Sequence, residues 1–592
     1  MALCRPRWLV TIGFLAPLLA CRVSPSWAQL PTSYDLRSVT TGSGTVAWVS
    51  SIQNQGTAED CWTFASATAM DSNLLKSGLL QTGSVAPAPA VSSWHLSVAN
   101  GNPNQLNPAV AFTNGSNWGG FEYMALGYAT RGAGQWTIPG SYNPATHVTT
   151  FGGGPVSNSS PANAFPAAIA NYTGNDADFT PNPITPLLPP VNQPTAWRVT
   201  NVAIYDQGFP SNVALPSPSG TRGGYVEYSY TLGAADPQVQ VVKSAILANG
   251  AVTTSMNANG NFISASNATG SPTLNTIYYS NDSDATGNSD HEVTIIGWDD
   301  TRVTYSDATT ISGTGAWLVQ NSWGTSFYTN TPSNYSDGTF WASYNDAVIG
   351  RTGVASFQLA SMAPYGQTVL QNELGPMAYA EDFAVVAGAP DDQTGWVGSP
   401  TGMGTVSASS VMSILTPGTD TPLAALGMAT QIGGVTVTAS IYQWNPATQA
   451  FGPLMDQVTT SNSTVGFFLA SLSQPLSLTG GQPYAVRLDY ALSGSAVLGA
   501  APVTIGGSGI NGYLNVTAGL SYYLDPGTSQ WIDMGSLAFA PYSGAGQSAG
   551  GILFLKGYTS SIPELDLDGV GGPLAIAVAA LALFERHRRR AA

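Results

Sequence analysis

The chain has 592 residues, too many for a single hydrophobic core, so two or three domains are expected. Hydrophobic residues make up 43% and charged residues 8%, which predicts globular domains whose surface is covered mainly by uncharged polar residues and glycine. The net charge of −16 argues against a nucleic-acid partner, which would need a basic face, and fits an exported protein kept soluble by like charge.

Residues 1–28 have the pattern of a secretion signal peptide. An apolar run at residues 8–20 follows two arginines and is too short to span a bilayer comfortably, and Ser26-Trp27-Ala28 matches a small-x-small cleavage site. This predicts export to the cell envelope or the outside of the cell. An alternative is lipidation of Cys21, because the Leu-Leu-Ala that precedes it resembles a lipoprotein box.

Cys61 is the one cysteine that would remain after removal of the signal peptide, so the mature chain is predicted to form no internal disulfide. Apolar residues from 65 to 74 recur at helical spacing and Asp60 is a good N-cap, which predicts a buried helix with Cys61 in its first turn. The helix N-terminus favours a thiolate, although Glu59 and Asp60 raise the thiol pKa. Cys61 is therefore either a small buried hydrophobe or a reactive group.

The middle of the chain mixes helical, irregular and extended segments. Gly119 and Gly120 precede a predicted helix at residues 123–131, and residues 139–225, rich in Pro, Asn, Gly, Ser and Thr, are predicted to form an irregular insertion. An amphipathic helix is predicted at residues 239–249. Strands are then predicted at residues 251–256, directly after His291, from residue 316 into a turn at 324, and at 338–344.

A thiol that attacks a carbonyl needs a base, a group that orients the base, and donors for the developing oxyanion. Three histidines lie between the two terminal signals: His95, His147 and His291. Because His291 stands at the head of a predicted strand, it is the best placed of the three to be held rigidly. Each of them, taken alone, is also compatible with a purely structural role.

Several motifs occur in an order that carries a family resemblance. Gln55 lies six residues before Cys61-Trp62, Asp290-His291 precedes an apolar strand, and Asn321-Ser322-Trp323-Gly324 follows. Together they resemble the papain-like cysteine peptidases. The resemblance implies an α+β, two-lobed peptidase domain over residues 29–360 and a protein or peptide substrate.

The resemblance also implies a role for each matching residue. Cys61 would be the nucleophile, His291 the general base and acid, Asn321 the group that fixes the imidazole, and Gln55 an oxyanion donor. The implied substrate-binding residues are Gly119, Gly120 and Trp323, of which Trp323 would also shield the bond between His291 and Asn321.

The chain departs from the family pattern in two places. Ala58-Glu59-Asp60 stands where family members have Cys-Gly-Ser, and the spacing from Cys61 to His291 is longer than usual. An inert cysteine in an inactive homologue, or a transglutaminase-like Cys-His-Asp enzyme, therefore stays an alternative.

Residues 361–560 have a different sequence pattern, in which alternating apolar runs are separated by Gly-rich turns and no marked helix is indicated. They are predicted to form an all-β sandwich. They resemble the lectin-like domain of some prokaryotic papain-like peptidases, which implies binding of a surface glycan. A spacer or packing module is the alternative. The aromatic residues that we expect to be exposed for sugar binding are Tyr442, Trp444, Tyr522 and Tyr523.

Residues 561–592 have the layout of a sorting signal: Pro563-Glu564, a short apolar helix at residues 570–584 and an Arg cluster. This layout resembles the PEP-CTERM class, which implies an exosortase-type processing enzyme as a partner. A plain C-terminal transmembrane anchor is the alternative.

The sequence thus predicts a secreted or surface-sorted cysteine endopeptidase with a Cys-His-Asn triad. The alternative is a catalytically inactive surface adhesin that binds peptide or glycan. No cofactor is expected. No metal is expected either, because Asp566-Leu567-Asp568-Gly569 is too short for a calcium loop.

Overall fold

The fold is given by a computed structural model, in which helices, strands and their contacts are described for the residues that follow: 30–55, 61–91, 93, 96, 122–130, 141–143, 148–151, 154–156, 197–205, 218–222, 225–228, 233–258, 261–263, 277–279, 290–306, 311–325, 337–346, 348–361, 365–371, 408–430, 432–496, 501, 503–505, 507–508, 513–514, 518–536 and 551–560.

Three α-helices occur in this part of the chain: α1 (Cys61–Lys76), α2 (Glu122–Thr130) and α3 (Pro237–Asn249). The start of α3 has a clear local cause, because Asp236 accepts the backbone N–H of Gln238 at 2.8 Å and a proline occupies the first position. Its end is equally clear, since Gly250 has a φ of 97° and its N–H bonds to the carbonyl of Ile246. All three predicted helices are confirmed, with bounds shifted by one or two residues.

The first part of the chain carries sixteen of the described strands. They are β1 (Ser33–Asp35), β2 (Val39–Thr41), β3 (Gly44–Val46), β4 (Ser141–Asn143), β5 (Val148–Phe151), β6 (Gly154–Val156), β7 (Trp197–Ile204), β8 (Pro218–Arg222), β9 (Tyr225–Tyr228), β10 (Val252–Met256), β11 (Asn261–Ile263), β12 (Ile277–Tyr279), β13 (His291–Ser306), β14 (Ile311–Gln320), β15 (Thr339–Ser343) and β16 (Ala355–Ser361).

These elements build two lobes. One lobe is a sheet in the order β1-β13-β14-β15-β12-β11, in which β10 pairs with the first residues of β13 on the same edge as β1. Helix α3 packs its buried face on this sheet through Val242 and Ile246. The other lobe is centred on α1, which is buried from Cys61 to Leu75, and on α2 beside it. The apolar cluster of this helical lobe includes Trp62.

The second part of the chain is all-β apart from a short 3-10 helix, Met534–Ser536, among the described residues. Its strands are β17 (Tyr365–Gln371), β18 (Ser410–Leu415), β19 (Thr421–Thr430), β20 (Val435–Asn445), β21 (Ala450–Asn462), β22 (Val465–Leu478), β23 (Tyr484–Leu492), β24 (Ser495–Ala496), β25 (Val503–Ile505), β26 (Gly507–Ser508), β27 (Tyr513–Leu514), β28 (Ser521–Leu524), β29 (Trp531–Asp533), β30 (Gly551–Leu553) and β31 (Leu555–Ser560).

The β-sandwich consists of two sheets that share one apolar core. The outer sheet runs β21-β20-β23-β18-β28-β29, and the inner sheet runs β16-β7-β22-β19-β31-β17. Inward residues such as Val437 and Leu488 of the outer sheet pack against Phe468 and Met428 of the inner sheet. A two-lobed α+β domain followed by an all-β sandwich is therefore the observed architecture.

The inner sheet belongs to both parts of the chain. Strand β7 lies between β16 and β22, so that Val202 pairs with Phe357 on one side and with Phe467 on the other. Side chains alternate across a strand, and accordingly Phe467 packs in the cluster of the helical lobe whereas Phe468 packs in the sandwich core. One sheet thus separates, and contributes to, two hydrophobic cores.

Polar and close contacts reinforce this shared layer. The hydroxyl of Tyr558, which is fully buried in β31, donates to the carbonyl of Thr130 at the end of α2, 2.7 Å away. Gly427 in β19 allows the rings of Phe467 and Tyr558 to approach, because a Cβ there would lie 2.7 Å from both. The β-sandwich is therefore packed directly against the helical lobe.

Two expectations need correction. Residues 139–225 are not irregular throughout, since they contain β4 to β8 and the start of β9, and β7 is a central strand. The β-branched run in β7 is a local strand signal that the Pro- and Asn-rich flanks obscured.

Trp444 and Tyr522 are also not surface residues, because each is only 4% exposed and packs in a small cluster with Phe451 and Trp531.

Both predicted terminal signals, residues 1–28 and 561–592, lie outside the described residues. Within the described part of the chain, no helix is long and apolar enough to cross a membrane.

Candidate active site

Cys61 and the start of strand β13 meet where the two lobes touch. Cys61 is the first residue of α1, and its Sγ accepts a hydrogen bond from the backbone N–H of Glu292 at 3.3 Å. One turn further along the helix, the carbonyl of Ala65 accepts the hydroxyl of Thr294 at 3.2 Å. Because His291 directly precedes Glu292, this contact brings the cysteine and the histidine of the predicted site together.

Asn321 follows the last residue of β14 and faces His291. Antiparallel pairing of β13 and β14 places Thr294 opposite Gln320, so the ends of these strands carrying His291 and Asn321 lie side by side. Nε2 of His291 is 2.8 Å from Oδ1 of Asn321. The backbone of Asn321 is held as well, because its N–H donates to the carbonyl of Gly338 at 3.1 Å.

The tautomer of His291 follows from this contact. Oδ1 of Asn321 also accepts the backbone N–H of Ser322 at 2.7 Å, and a backbone amide can only donate. The atom of Asn321 that faces the imidazole is therefore the oxygen, and Nε2 of neutral His291 carries the proton. This leaves Nδ1 as the basic ring nitrogen.

Trp323 lies over the same imidazole. Its ring centroid is 4.5 Å from that of His291, with 22° between the ring planes. A stacked indole excludes water from one face of the imidazole, which strengthens the hydrogen bond to Asn321 in a less polar surrounding.

Gln55 reaches the site through Ser322. The backbone N–H of Gln55 donates to the carbonyl of Ser322 at 2.7 Å, and the Ser322 hydroxyl forms a short hydrogen bond to Oε1 of Gln55. This contact occupies the carbonyl end of the side-chain amide and turns its NH2 end away from Ser322. The neighbouring chain segments are tied as well, since the N–H of Gly324 donates to the carbonyl of Gln53 at 3.0 Å.

Burial sets the protonation of the site. Cys61 is 8% and His291 6% exposed. Burial lowers the pKa of His291 to about 4, against the opposing effects of the bond to Asn321 and the charge of Asp290. At neutral pH the imidazole of this resting state is therefore uncharged, which is the form that can accept a proton from a thiol.

The structure thus brings together Gln55, Cys61, His291, Asn321 and Trp323, which the sequence selected. Gly119, Gly120, His95 and His147 lie outside the described residues. Two residues that contact the site were missed, Ser322 and Glu292. Each stands next to a selected residue, but only the fold shows that Ser322 holds Gln55 and that Glu292 touches the sulfur.

No group of three or more His, Cys, Asp or Glu side chains that could hold a metal ion occurs among the described residues.

A two-lobed α+β domain with a cysteine at a helix N-terminus, close to a His-Asn pair on the facing sheet, defines a papain-like cysteine peptidase. Residues 220–339, which include His291 and Asn321, match the family model described as "Papain family cysteine protease". This match agrees with the family resemblance that the sequence motifs indicated. No curated protein matches the chain in sequence.

Two solved structures of one clostridial protein are similar to most of the chain. The first, the cysteine protease Cwp84 after propeptide cleavage, is 16% identical and has a TM-score of 0.53, with 87% of this chain and 97% of that chain covered. The second contains the cysteine protease and lectin-like domains of Cwp84, a surface-layer-associated protein of Clostridium difficile. It is 16% identical with a TM-score of 0.52 and covers 90% of this chain and 89% of that one. At this identity the likeness establishes the fold of both parts.

Proposed function

We propose that this protein is an exported endopeptidase that hydrolyses peptide bonds through Cys61, His291 and Asn321. The observation that carries the proposal is the contact set at the lobe boundary: Glu292 N–H to Cys61 Sγ at 3.3 Å, and His291 Nε2 to Asn321 Oδ1 at 2.8 Å. It leaves Nδ1 of His291 as the base next to a cysteine whose helix N-terminus favours the thiolate.

The first half of the reaction forms a thioester. Nδ1 of His291 takes the thiol proton, and Sγ of Cys61 attacks the peptide carbonyl carbon, whose oxygen gains the negative charge. The side-chain NH2 of Gln55 and the backbone N–H of Cys61 donate to this oxyanion. The C–N bond then breaks as His291 returns the proton to the leaving amine.

The second half releases the acid. Nδ1 of His291 takes a proton from water, the resulting hydroxide attacks the thioester carbonyl, and the sulfur leaves and regains the proton. Asn321 holds the imidazole in one orientation throughout, and Trp323 keeps water from their bond. Gly119 and Gly120 are proposed to hold the substrate backbone in an extended conformation, since glycines let another chain approach closely.

An active-site-directed probe tests the proposal. We expect an epoxysuccinyl thiol probe to label Cys61 in the purified protein and the His291→Ala variant to lose most of this labelling. We also expect wild type, but not the variant, to cleave an unstructured peptide substrate. Folding of the variant is checked by circular dichroism. Labelling that does not depend on His291, together with no cleavage of any peptide, would favour an inactive adhesin.

Export is the second part of the proposal. It is supported by the signal pattern at residues 1–28 and the sorting pattern at residues 561–592, for which the sequence predicts a short apolar helix and processing by an exosortase-type enzyme. We expect the mature protein to begin at Gln29 and to shift from the envelope to the medium when residues 561–592 are deleted. A mature chain beginning at a lipidated Cys21 would contradict this.

Glycan binding by the β-sandwich stays a prediction. It is supported by the half-buried aromatic side chains of Tyr442, Tyr523 and Trp531 and by the lectin-like description of the Cwp84 domain. A glycan array probed with the full-length protein tests it, and an empty array with folded protein would favour a packing role for the domain.

A further inference from the structure

Glu292 is a buried acidic side chain beside the proposed nucleophile that has no part in the reaction described above. Its backbone N–H donates to Sγ of Cys61, and the residue is 4% exposed. Its backbone is therefore in direct contact with the sulfur.

The direction of the Glu292 side chain follows from strand geometry. Side chains alternate across a strand, so Glu292 lies on the same face of β13 as Thr294. The hydroxyl of Thr294 contacts the carbonyl of Ala65 in α1, which identifies this face as the one turned toward the helical lobe. Ser255 of β10, which is also buried, pairs directly with Glu292 of β13 and lies on the same face of the sheet. The carboxylate thus lies at the boundary between the lobes, next to the first turn of α1.

The charged residues that neighbour His291 and Cys61 in the sequence are all negative. Asp290 and Glu292 flank His291, and the sequence places Glu59 and Asp60 directly before Cys61. No lysine or arginine occurs between Arg37 and Lys76, or between Lys243 and Arg302. The charged residues that neighbour Cys61 and His291 in the sequence are therefore all acidic, which favours a cationic over an anionic side chain next to them.

We propose that Glu292 determines specificity and that the enzyme selects peptides with a lysine or arginine at one of the two positions before the scissile bond. A cationic side chain that enters the lobe boundary beside Cys61 would meet a buried carboxylate, where a charge-assisted hydrogen bond is stronger than at the surface. This inference rests on the proposed peptidase function and names its substrate class.

Matched substrates test the inference on the full-length protein. Fluorogenic peptide amides carry Arg, Leu or Glu at one of the two positions before the scissile bond, with all other residues unchanged. We expect kcat/KM for Arg to exceed that for Leu by about tenfold or more at one position, and Glu to be the poorest. In Glu292→Gln the Arg-to-Leu ratio should fall about tenfold, and in Glu292→Asp it should fall less.

Asp290→Asn is the matched control. This carboxylate also neighbours His291 but is exposed and accepts the N–H of Ala258, so its loss should change the Arg-to-Leu ratio by no more than about twofold. A wild-type ratio near one, or a ratio that Glu292→Gln leaves unchanged, overturns the inference while cleavage itself upholds the peptidase. Absence of both cleavage and probe labelling instead overturns the proposed function. If Glu292→Gln does not fold, the wild-type ratio and Glu292→Asp decide the outcome.

Discussion

Asn321 accepts two hydrogen bonds at one oxygen, from Nε2 of His291 at 2.8 Å and from the backbone N–H of Ser322 at 2.7 Å. The second bond comes from a group that can only donate, so it fixes the orientation of the amide and, through it, the tautomer of the imidazole. Two residues that are distant in the chain from Cys61 thereby decide which ring nitrogen is basic.

The Asn321→Ala variant should keep its fold but lose activity. Without the acceptor, the imidazole can rotate and adopt the other tautomer, so we expect kcat/KM for a peptide amide to fall on the order of 10²-fold. Asn445→Ala, which removes a turn contact in the β-sandwich, is the control and should leave kcat/KM unchanged. Equal activity of Asn321→Ala and wild type would remove Asn321 from the mechanism.

Gln55→Ala tests the oxyanion donor. Loss of one preorganised donor should lower kcat on the order of 10²–10³-fold with a smaller change in KM, because the bond is made mainly in the transition state. Gln53→Ala is a matched control two residues away, since its side chain bonds to Ser93 rather than to Ser322. A fall confined to KM would assign Gln55 to substrate binding instead.

Asp71 should make the stability of the helical lobe depend on pH. It is buried in α1 and accepts the backbone N–H groups of Ala90 and Val91, and burial raises its pKa from 3.8 to about 7. Because the folded state binds this proton more tightly than the unfolded state, the stabilisation is complete below pH 3.8 and is lost as the pH rises through about 7.

We therefore expect the free energy of unfolding of wild type to decrease between pH 5.5 and 8 relative to that of Asp71→Asn, in which this proton is absent. Urea denaturation of both proteins across this range measures the difference. A difference that is constant with pH would show that Asp71 does not titrate in this window.

Phe467→Ala tests whether the β-sandwich is part of the peptidase fold. Phe467 is fully buried in the cluster of the helical lobe, its ring 6.0 Å from that of Phe554, so truncation should cost about 3–5 kcal/mol. Thermal loss of Cys61 labelling and loss of sandwich structure should both shift to lower temperature, in one transition.

Phe451→Ala is the control for this variant. Phe451 is half-buried in the small aromatic cluster on the far side of the outer sheet, where it packs on Trp444 and Trp531. Its loss should leave the temperature at which Cys61 labelling disappears unchanged. Two separate transitions in the Phe467→Ala protein would mean that the two parts unfold independently.

Much of the site could be predicted because its residues carry local signals. Cys61 begins a helix with helical apolar spacing, His291 begins an apolar strand, and Asn321 directly follows the next strand, so each is marked by the element beside it. The sandwich was predicted for the same reason, since alternation of period two is visible within one strand. The prediction that residues 139–225 form an irregular insertion was wrong at β7, where a single strand is flanked by long polar stretches.

The amino-acid sequence by itself determined the three described helices, the strands that carry His291 and precede Asn321, and the chemical identity of the proposed triad, because these depend on neighbours along the chain. Only the tertiary structure decided that β7 joins the peptidase to the sandwich, that Ser322 holds Gln55, and that the amide of Glu292 lies on the sulfur of Cys61. Such contacts join residues that are far apart in the chain, and strand pairing and packing between lobes leave no periodic trace in the segments that they connect.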